Sequence, residues 1–335
     1  MEMAWMDAAR GFSVLAVVLL HVAGSVVAQT PIGSLDWWFG NLYASMVRWC
    51  VPVFVMVSGA LLLDPAKREG IAAFYRKRLA RIFIPLCFWT VVYVAWNHRA
   101  AIGALRVADF REAIARGWPH YHLWFMFMIV CLYIFVPYLR PVVWHTRRRD
   151  LWWLVGILFL FAGINEFNRV FTGNQAGLFI NWFLQYLPYF LCGHLINTST
   201  RLPHPFASAC TFAATVFLTA MGCYWLGLSE GIDKGLYFYG YLSPFVIPMS
   251  VSAMLLFKAW TPPTSDDRFI GALAALSMGI YLVHPILLET IREYVVKPEN
   301  HQAFATVPLI TVAVCAGSLA FAWIVHRIPA LNRVI

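Results

Sequence analysis

Apolar runs of about 20 residues recur along the whole of this chain. A segment of that length spans the hydrocarbon core of a bilayer as an α-helix. The chain has 335 residues, of which 61% are apolar and 12% charged, whereas a soluble domain has about 25% charged residues. The sequence therefore predicts an all-α, polytopic membrane protein and excludes an ordinary water-soluble fold.

Length and hydropathy place ten membrane spans in one bundle. They cover residues 9–28, 38–63, 82–97, 121–144, 151–165, 179–197, 206–227, 240–260, 270–288 and 305–326, and the fifth is short. No loop between them is long enough to hold a soluble domain. We therefore expect residues 1–335 to form a single integral-membrane domain with no appended soluble domain.

The charges of the loops predict how the spans are oriented. Thirteen Lys and Arg residues lie on the side of both termini and eight on the other, which places both termini in the cytoplasm. Residues 98–118 carry four arginines and argue the other way. The formal charge of +9 is explained by these loops and by their contact with anionic lipid, so no nucleic-acid partner is expected.

A signal peptide is the alternative for the first apolar run, because Val26-Val27-Ala28 resembles a cleavage site. A signal peptide has a positively charged region ahead of its apolar core. Here Glu2 and Asp7 stand against Arg10 in that region. We therefore expect the run to remain as the first span.

The cysteines and the neighbouring histidines do not predict a metal site. All seven cysteines fall inside apolar runs and form no CxxC pair, which is typical of small buried hydrophobic residues. His120 and His122 are two residues apart, which is too far round a helix to bind one metal together. No acidic partner for them is obvious in the sequence.

The first span carries ionisable residues at its entrance and in its interior. Arg10 and His21 are separated by three helical turns, so they share a face about 16 Å apart. Asp7 lies three residues before Arg10 and can pair with it. Ionisable groups inside a membrane are energetically costly and by default mark a functional site.

The second span contains an arginine near the midplane of the membrane. Arg48 needs an anionic partner, a wet cavity or a route to the interface, and we favour a functional cavity over simple snorkelling. Ser58 and Gly59 follow on the same span, and small residues permit close helix packing. For Ser58 we favour packing over a functional role.

A basic segment, Phe74 to Pro85, precedes the third span and includes Arg76, Arg78 and Arg81. Positive-inside anchoring explains most such loops. If the segment is helical, Arg78 and Arg81 are i,i+3 neighbours and their guanidinium groups can converge. Since guanidinium forks suit phosphate oxygens, a phosphorylated ligand from the cytoplasm would meet this cluster first.

The ninth span has a polar stripe, because Ser277, Tyr281 and His284 follow i, i+4, i+7 spacing. A lone histidine inside a membrane is more often a packing residue than a catalyst. Two histidines in different spans, His21 and His284, instead favour a shared polar cavity. Trp124 belongs to an aromatic cluster that opens the fourth span and is typical of an interfacial belt.

Four motifs occur in order between residues 7 and 284. They are Asp7-x-x-Arg10-Gly11 with His21, Val51-Pro52-Val53-Phe54 leading to Ser58-Gly59, Arg78-x-x-Arg81, and Ser277-x-x-x-Tyr281-Leu282-x-His284, with a weaker match at His122-Leu123-Trp124-Phe125. Together they resemble the membrane-bound acyltransferase 3 family, bacterial inner-membrane enzymes that O-acylate surface glycans. The chain is similar to the subgroup without an extra soluble domain, the enterobacterial common antigen O-acetyltransferases.

The resemblance implies a donor and a set of catalytic roles. Acetyl-CoA would be a cytoplasmic donor substrate, with no permanently bound cofactor, and its phosphates would bind Arg78, Arg81 and Arg76. His21 would act as general base on the acceptor hydroxyl or carry the acetyl group itself. Asp7 would orient Arg10, and Arg10 or Arg48 would stabilise the oxyanion.

The resemblance also implies an acceptor cavity, open to a surface glycan or its lipid-linked precursor. Its lining residues would be Arg48, Ser58, His122, Trp124, Tyr281 and His284. The sequence leaves open a lipid, a peptidoglycan unit or a small amino compound as acceptor, as well as the acyl chain length. It also leaves the oligomeric state open.

A proton-coupled transporter or flippase is the competing class, in which His21, Arg48 and His284 relay protons or bind an anion. The sequence shows neither inverted repeats nor the paired Gly/Pro-broken spans of many secondary transporters. A non-catalytic scaffold is a third reading, but buried charges would only destabilise it. Release of CoA from acetyl-CoA distinguishes the enzyme from the other two.

Overall fold

The computed structural model describes residues 4–66, 69–172, 182–260, 267–297, 302–329 and 331–335. Those residues form helices, 3₁₀ turns and connecting loops, and they contain no strand. The helices are α1 (Ala4–Gln29), α2 (Leu35–Met46), α3 (Cys50–Leu62), α4 (Ile71–Asn97), α5 (Val107–Arg116), α6 (Trp124–His145), α7 (Arg148–Thr172), α8 (Trp182–Asn197), α9 (Pro205–Glu230), α10 (Ile232–Gly235), α11 (Val246–Ala259), α12 (Asp267–Tyr294) and α13 (Ala303–His326).

The predicted all-α, polytopic membrane fold is confirmed, with differences in the length of the spans. Eight segments of the described chain are long and apolar enough to cross a membrane, with α2 and α3 counted as one. The sixth and eighth predicted spans are the shorter helices α8 and α11, and residues 179–181 of the sixth lie outside the described residues. The fifth span was expected to be short, and this is wrong, because it is the 25-residue helix α7.

The second span is broken into α2 and α3 at residues 47–49. Pro52 lies in the first turn of α3, and a proline has no N–H and clashes with the carbonyl of the residue four positions earlier. That residue is Arg48. The break therefore follows from the sequence, and it places an arginine where the backbone of a membrane helix is irregular.

Glycines allow α3 and α8 to touch through their backbones. A Cβ atom added to Gly59 would lie 1.8 Å from the carbonyl oxygen of Phe190, and one added to Gly193 would lie 1.9 Å from that of Met56. Such distances exclude any side chain at either position. The crossing shows that Gly59 serves close helix packing, as expected of a small residue in a membrane span.

Helix α1 lies at the centre of the bundle and packs against α2, α3, α12 and α13. Its face is apolar and buried along most of its length, for example at Ala8, Val14 and Val22. By contrast, α7 and α9 expose large apolar side chains such as Phe161 and Phe217, as expected for helices that face lipid. The ionisable residues of α1 therefore lie on a central helix and are only partly exposed.

Candidate functional site

The two histidines predicted to share a cavity meet directly. His21 on α1 and His284 on α12 have Nδ1 and Nε2, respectively, 2.9 Å apart. Their rings are stacked with centroids 5.0 Å apart. Two residues separated by 263 positions in the chain thus form one hydrogen-bonded pair.

Pro285 explains how the pair is oriented. A proline has no N–H, so the carbonyl of Tyr281 lacks its usual donor four residues later. His284 Nδ1 takes that place, 2.7 Å from the Tyr281 oxygen. Because a carbonyl only accepts, His284 Nδ1 carries a hydrogen and the Nε2 of the neutral ring accepts one from His21 Nδ1. His21 Nε2 is then left with a free lone pair, the form that a base or nucleophile requires.

Aromatic rings surround this pair. The Tyr281 hydroxyl donates to the backbone carbonyl of His122 at 2.5 Å, and the Tyr93 hydroxyl donates to that of Leu282 at 2.6 Å. The His122 ring lies 5.5 Å from that of His284 and 5.2 Å from that of Tyr281. The loop before α6 is thereby fixed against α12 and α4.

His120 has an acidic partner, which corrects the expectation from the sequence. Its Nε2 lies 2.8 Å from Glu289 Oε1 and its Nδ1 lies 3.0 Å from Asn97 Oδ1. The Asn97 amide nitrogen donates to the carbonyl of Pro119, which fixes the amide orientation. Both nitrogens of His120 therefore face oxygen acceptors, and one of these belongs to the Glu289 carboxylate. We call His21, His284, His122, His120 and Glu289 the histidine cluster.

Arg10 lies at the other end of the polar face of α1. Its Nη1 lies 3.4 Å from Asp7 Oδ1, as the spacing predicted, and its Nη2 donates to the carbonyl of Ala274 at 2.8 Å. Ser277 donates to the same carbonyl, so it bonds within its own helix. Since Arg10 meets residue 274 and His21 meets residue 284, α1 and α12 run in parallel.

Ser58 and Arg78 converge on a tyrosine from α6. The Tyr133 hydroxyl donates to Ser58 Oγ at 3.0 Å, and both Arg10 and Arg78 are close enough for their charges to act on Tyr133. Arg78 and Tyr133 also line a small cavity together with Phe74. We call Arg10, Ser58, Arg78 and Tyr133 the arginine cluster.

The other two arginines predicted for the donor do not join this cluster. Residues 71–97 are one helix, as the argument for convergence required, but Arg76 and Arg81 are exposed. Glu69 lies nearby and bonds Lys77 at 3.2 Å. Burial acts to raise the pKa of Glu69, but the hydrogen bonds from Lys77 and Arg140 outweigh it, so the pKa is lowered overall.

Arg48 lies near the histidine pair and has no counter-ion among the described residues. Its guanidinium group sits 3.9 Å above the ring of Tyr239, and its Nε is buried without a hydrogen-bond partner in the described chain. It is close enough for its charge to act on His21. A cation in this position can stabilise negative charge that develops next to the base.

Trp124 lies among aromatic side chains at the start of α6. Its ring is stacked on that of Tyr241, with centroids 5.9 Å apart, and lies 5.7 Å from that of Tyr186. Glu166 and Arg169 form an ion pair at 2.7 Å, and Glu166 is close enough to act on Tyr186. Aromatic faces next to a charged pair suit a ligand with apolar faces and hydroxyl groups.

The structure adds residues that the motifs did not indicate. Glu289 had a weak signal in the sequence, since it is an acidic residue directly after the ninth predicted span, five positions after His284. Tyr133 and Tyr93 had no such signal in the sequence. Both are ordinary aromatic residues of membrane helices, and their roles depend on helices that are distant in the chain.

The described residues thus form an all-α membrane bundle with a histidine pair inside it and an arginine cluster further towards the start of α1. The chain belongs to the family described as "Acyltransferase domain", which matches residues 3–327. No curated protein and no solved structure matches it. Membership in an acyltransferase family favours the enzyme over the proton-coupled transporter.

Proposed function

We propose that this acyltransferase moves an acetyl group from acetyl-CoA to a hydroxyl group of a cell-surface glycan or of its lipid-linked precursor. The family supports acyl transfer, and the order of the motifs supports the donor and the acceptor class. The observation that carries the proposal is the His21–His284 pair. It holds one imidazole in the tautomer that leaves His21 Nε2 free to react.

The donor would approach at the arginine cluster. Arg78 and Arg10 provide guanidinium groups close to Tyr133, and such groups bind phosphate oxygens well. Arg76 and Arg81 are exposed one turn away and attract the anion by charge. The pantetheine arm would then follow the polar face of α1 over the roughly 16 Å from Arg10 to His21.

The chemical step would be centred on His21 Nε2. As a general base, it takes the proton of the acceptor hydroxyl, whose oxygen attacks the thioester carbon and expels the thiolate. As an acyl carrier, it attacks that carbon itself and later gives the acetyl group to the acceptor. Arg48 is the oxyanion partner in either route, because Arg10 is about three helical turns away from His21.

The acceptor would reach His21 past the aromatic residues around Trp124. Tyr186 and Tyr241 lie against that ring, and Tyr281 and His284 line the far side of the histidine pair. We place the protein in the bacterial inner membrane with both termini in the cytoplasm, so that donor and acceptor enter from opposite faces. The enterobacterial common antigen type of acceptor follows from the motifs.

The test is the release of CoA by the purified protein in liposomes, supplied with acetyl-CoA and an acceptor extract from the native host. We expect His21→Ala to slow release about 10²- to 10⁴-fold, the usual contribution of a positioned acid or base. His326→Ala is the matched control, since His326 is exposed at the end of α13. If the protein binds the donor but releases no CoA with any extract, the acceptor is missing. If it shows no donor binding and no CoA release, the proposal is overturned.

The base and carrier routes differ in one intermediate. We expect the carrier route to leave an acetyl group on His21 when labelled acetyl-CoA is added without acceptor and the reaction is quenched within seconds. Peptide mass spectrometry locates the label, and His21→Ala serves as the blank. A labelled His21 excludes the simple base mechanism, whereas full CoA release on acceptor addition with no labelled enzyme supports it.

A further inference from the structure

The histidine pair continues into a longer row of rings. From His21 the ring centroids follow at 5.0 Å to His284, 5.5 Å to His122 and 5.5 Å to His120. His120 then bonds Glu289 at 2.8 Å. The row leads away from Arg10, because α1 and α12 are parallel and Glu289 lies beyond His284 along α12.

The far end of the row reaches the surface of the protein. His120 is 8% exposed and the Glu289 side chain is 24% exposed, while His284 is fully buried. One turn further along α12, Glu293 pairs with Arg99 at 2.7 Å and both are exposed. The row thus connects the buried pair with a carboxylate near the face of the membrane at which α1 ends.

His122 is the step that the structure shows unbonded. It is buried, and neither of its ring nitrogens makes a hydrogen bond of ordinary geometry among the described residues, although the Leu282 backbone is close enough to act on the ring. Burying an imidazole without partners is energetically costly. Its distances to His284 and His120 are only 0.5 Å longer than that of the hydrogen-bonded pair. Both nitrogens of His284 and both of His120 already bond other groups, so His122 joins either neighbour only when that neighbour's ring turns as well.

We propose that His284, His122, His120 and Glu289 form a proton path between His21 and the face of the membrane at which α1 ends. This inference rests on the proposed function. The acceptor hydroxyl gives its proton to His21 Nε2, and His21 passes its Nδ1 proton to His284. His284 then turns its ring away from the Tyr281 carbonyl and gives its Nδ1 proton to His122. His120 releases its Nε2 proton through Glu289 and takes the extra proton of His122 in its place.

The balance of the reaction then involves both faces of the membrane. The bond between sulfur and the acyl carbon breaks, the bond between the acceptor oxygen and that carbon forms, and the thiolate takes a proton from the solution on the donor side. One proton is consumed there for each proton that leaves through Glu289. Acyl transfer would therefore move one proton equivalent of charge per CoA released.

Other titratable and charged groups face the path and set its environment. Tyr93 stacks on His120 from α4, and Tyr121 lies against both His21 and His120. Trp96 donates to Glu289 at 2.7 Å. The remaining neighbours that act on these groups through their charge or hydroxyl are Arg48, Arg99, Tyr281 and Arg292.

The path can be tested by finding which side of the membrane has the pH that controls the protonation of His21. The full-length protein is placed in sealed vesicles in one orientation, and the pH is set separately on the two sides. Diethyl pyrocarbonate modifies neutral imidazole, and mass spectrometry measures its reaction with His21. We expect the rate to follow the pH on the side where α1 ends and to ignore the pH on the other side.

Variants separate the path from a structural role. Glu289→Gln keeps an oxygen for Trp96 and an amide for His120 but cannot release a proton, so we expect the response of His21 to a pH step to slow at least tenfold. Glu289→Asp should restore part of the response. Glu293→Gln, one turn away, is the matched control and should respond as the wild type does.

CoA release by the same vesicles separates the two proposals. The path is overturned if His21 responds to the pH on the side opposite to the end of α1, or if Glu289→Gln and Glu293→Gln respond equally fast to a pH step. CoA release in the same vesicles would still support the acyltransferase. The expected His21 response without any CoA release supports the path and overturns the proposed function. Both together support both, and the release rate should then follow the pH on the Glu289 side.

Discussion

The arginine cluster and the histidine cluster share helix α1 but are built in opposite ways. In the histidine cluster, the rings pack against one another, and bonds of 2.7–2.9 Å join His21 to His284, His284 to the Tyr281 carbonyl and His120 to Glu289. In the arginine cluster, Arg10 is about a third exposed and bonds Asp7 at 3.4 Å. The first arrangement holds reacting atoms in place, and the second keeps a long charged side chain partly exposed to an arriving ligand.

This difference separates binding from chemistry. A long guanidinium side chain can adapt to a phosphate that arrives from solution. An imidazole that must accept a proton at one atom gains from being fixed before the substrate arrives. Changes in the histidine cluster should therefore lower kcat, whereas changes in the arginine cluster should raise the KM for the donor.

The largest effect should come from removing the partner of His21. We expect His284→Phe to lower kcat about 10²- to 10³-fold. The His21 Nδ1–H loses its acceptor, so the His21 ring is no longer held in the tautomer with a free Nε2. The KM for acetyl-CoA should change less than twofold. Steady-state CoA release measures both, and a rise in KM at constant kcat would contradict the separation of the two clusters.

A smaller effect should come from the donor side. We expect Arg78→Ala to raise the KM for acetyl-CoA about tenfold with kcat little changed, since one charge-assisted hydrogen bond contributes about 1.5 kcal/mol. Arg76→Ala is the matched control, two residues away and exposed, and should change KM about twofold at most. Equal effects of the two variants would show that the charge of the segment, and not the cavity, binds the donor.

The smallest effect should come from the aromatic residues near the acceptor. We expect Trp124→Leu to raise the KM for the acceptor about fivefold, because one aromatic contact contributes about 1 kcal/mol. The KM for acetyl-CoA should stay the same. Exposed Trp153 on α7 offers the matched control, Trp153→Leu. A change in the KM for acetyl-CoA alone would place Trp124 on the donor side of His21 and contradict this assignment.

Local patterns in the sequence predicted much of this molecule. Apolar length predicted the membrane helices, and the eleven-residue spacing predicted that Arg10 and His21 share a face. The i, i+4, i+7 stripe predicted the inward face of α12, where His284 lies. All of these follow from helix geometry within one segment.

The contacts between segments were beyond such reasoning. Nothing in the spacing indicated that Tyr133 would bond Ser58, or that His120 would bond Glu289, since each pair depends on how distant helices pack. The helix break before Pro52 does follow from local chemistry, and so does the Tyr281 carbonyl that Pro285 leaves without a backbone donor. They show that prolines in membrane helices mark positions where side chains can take over backbone partners.

The glycine crossing of α3 and α8 also affects how the protein is made. Gly59 and Gly193 are about 130 residues apart, so at about 5–20 residues per second the ribosome delivers α8 on the order of 10 s after α3. During that interval the groove of α3 at Gly59 stays open to lipid or to an earlier helix. A side chain added at Gly193 should therefore appear as failed maturation of the chain and its degradation, before any effect on catalysis is seen.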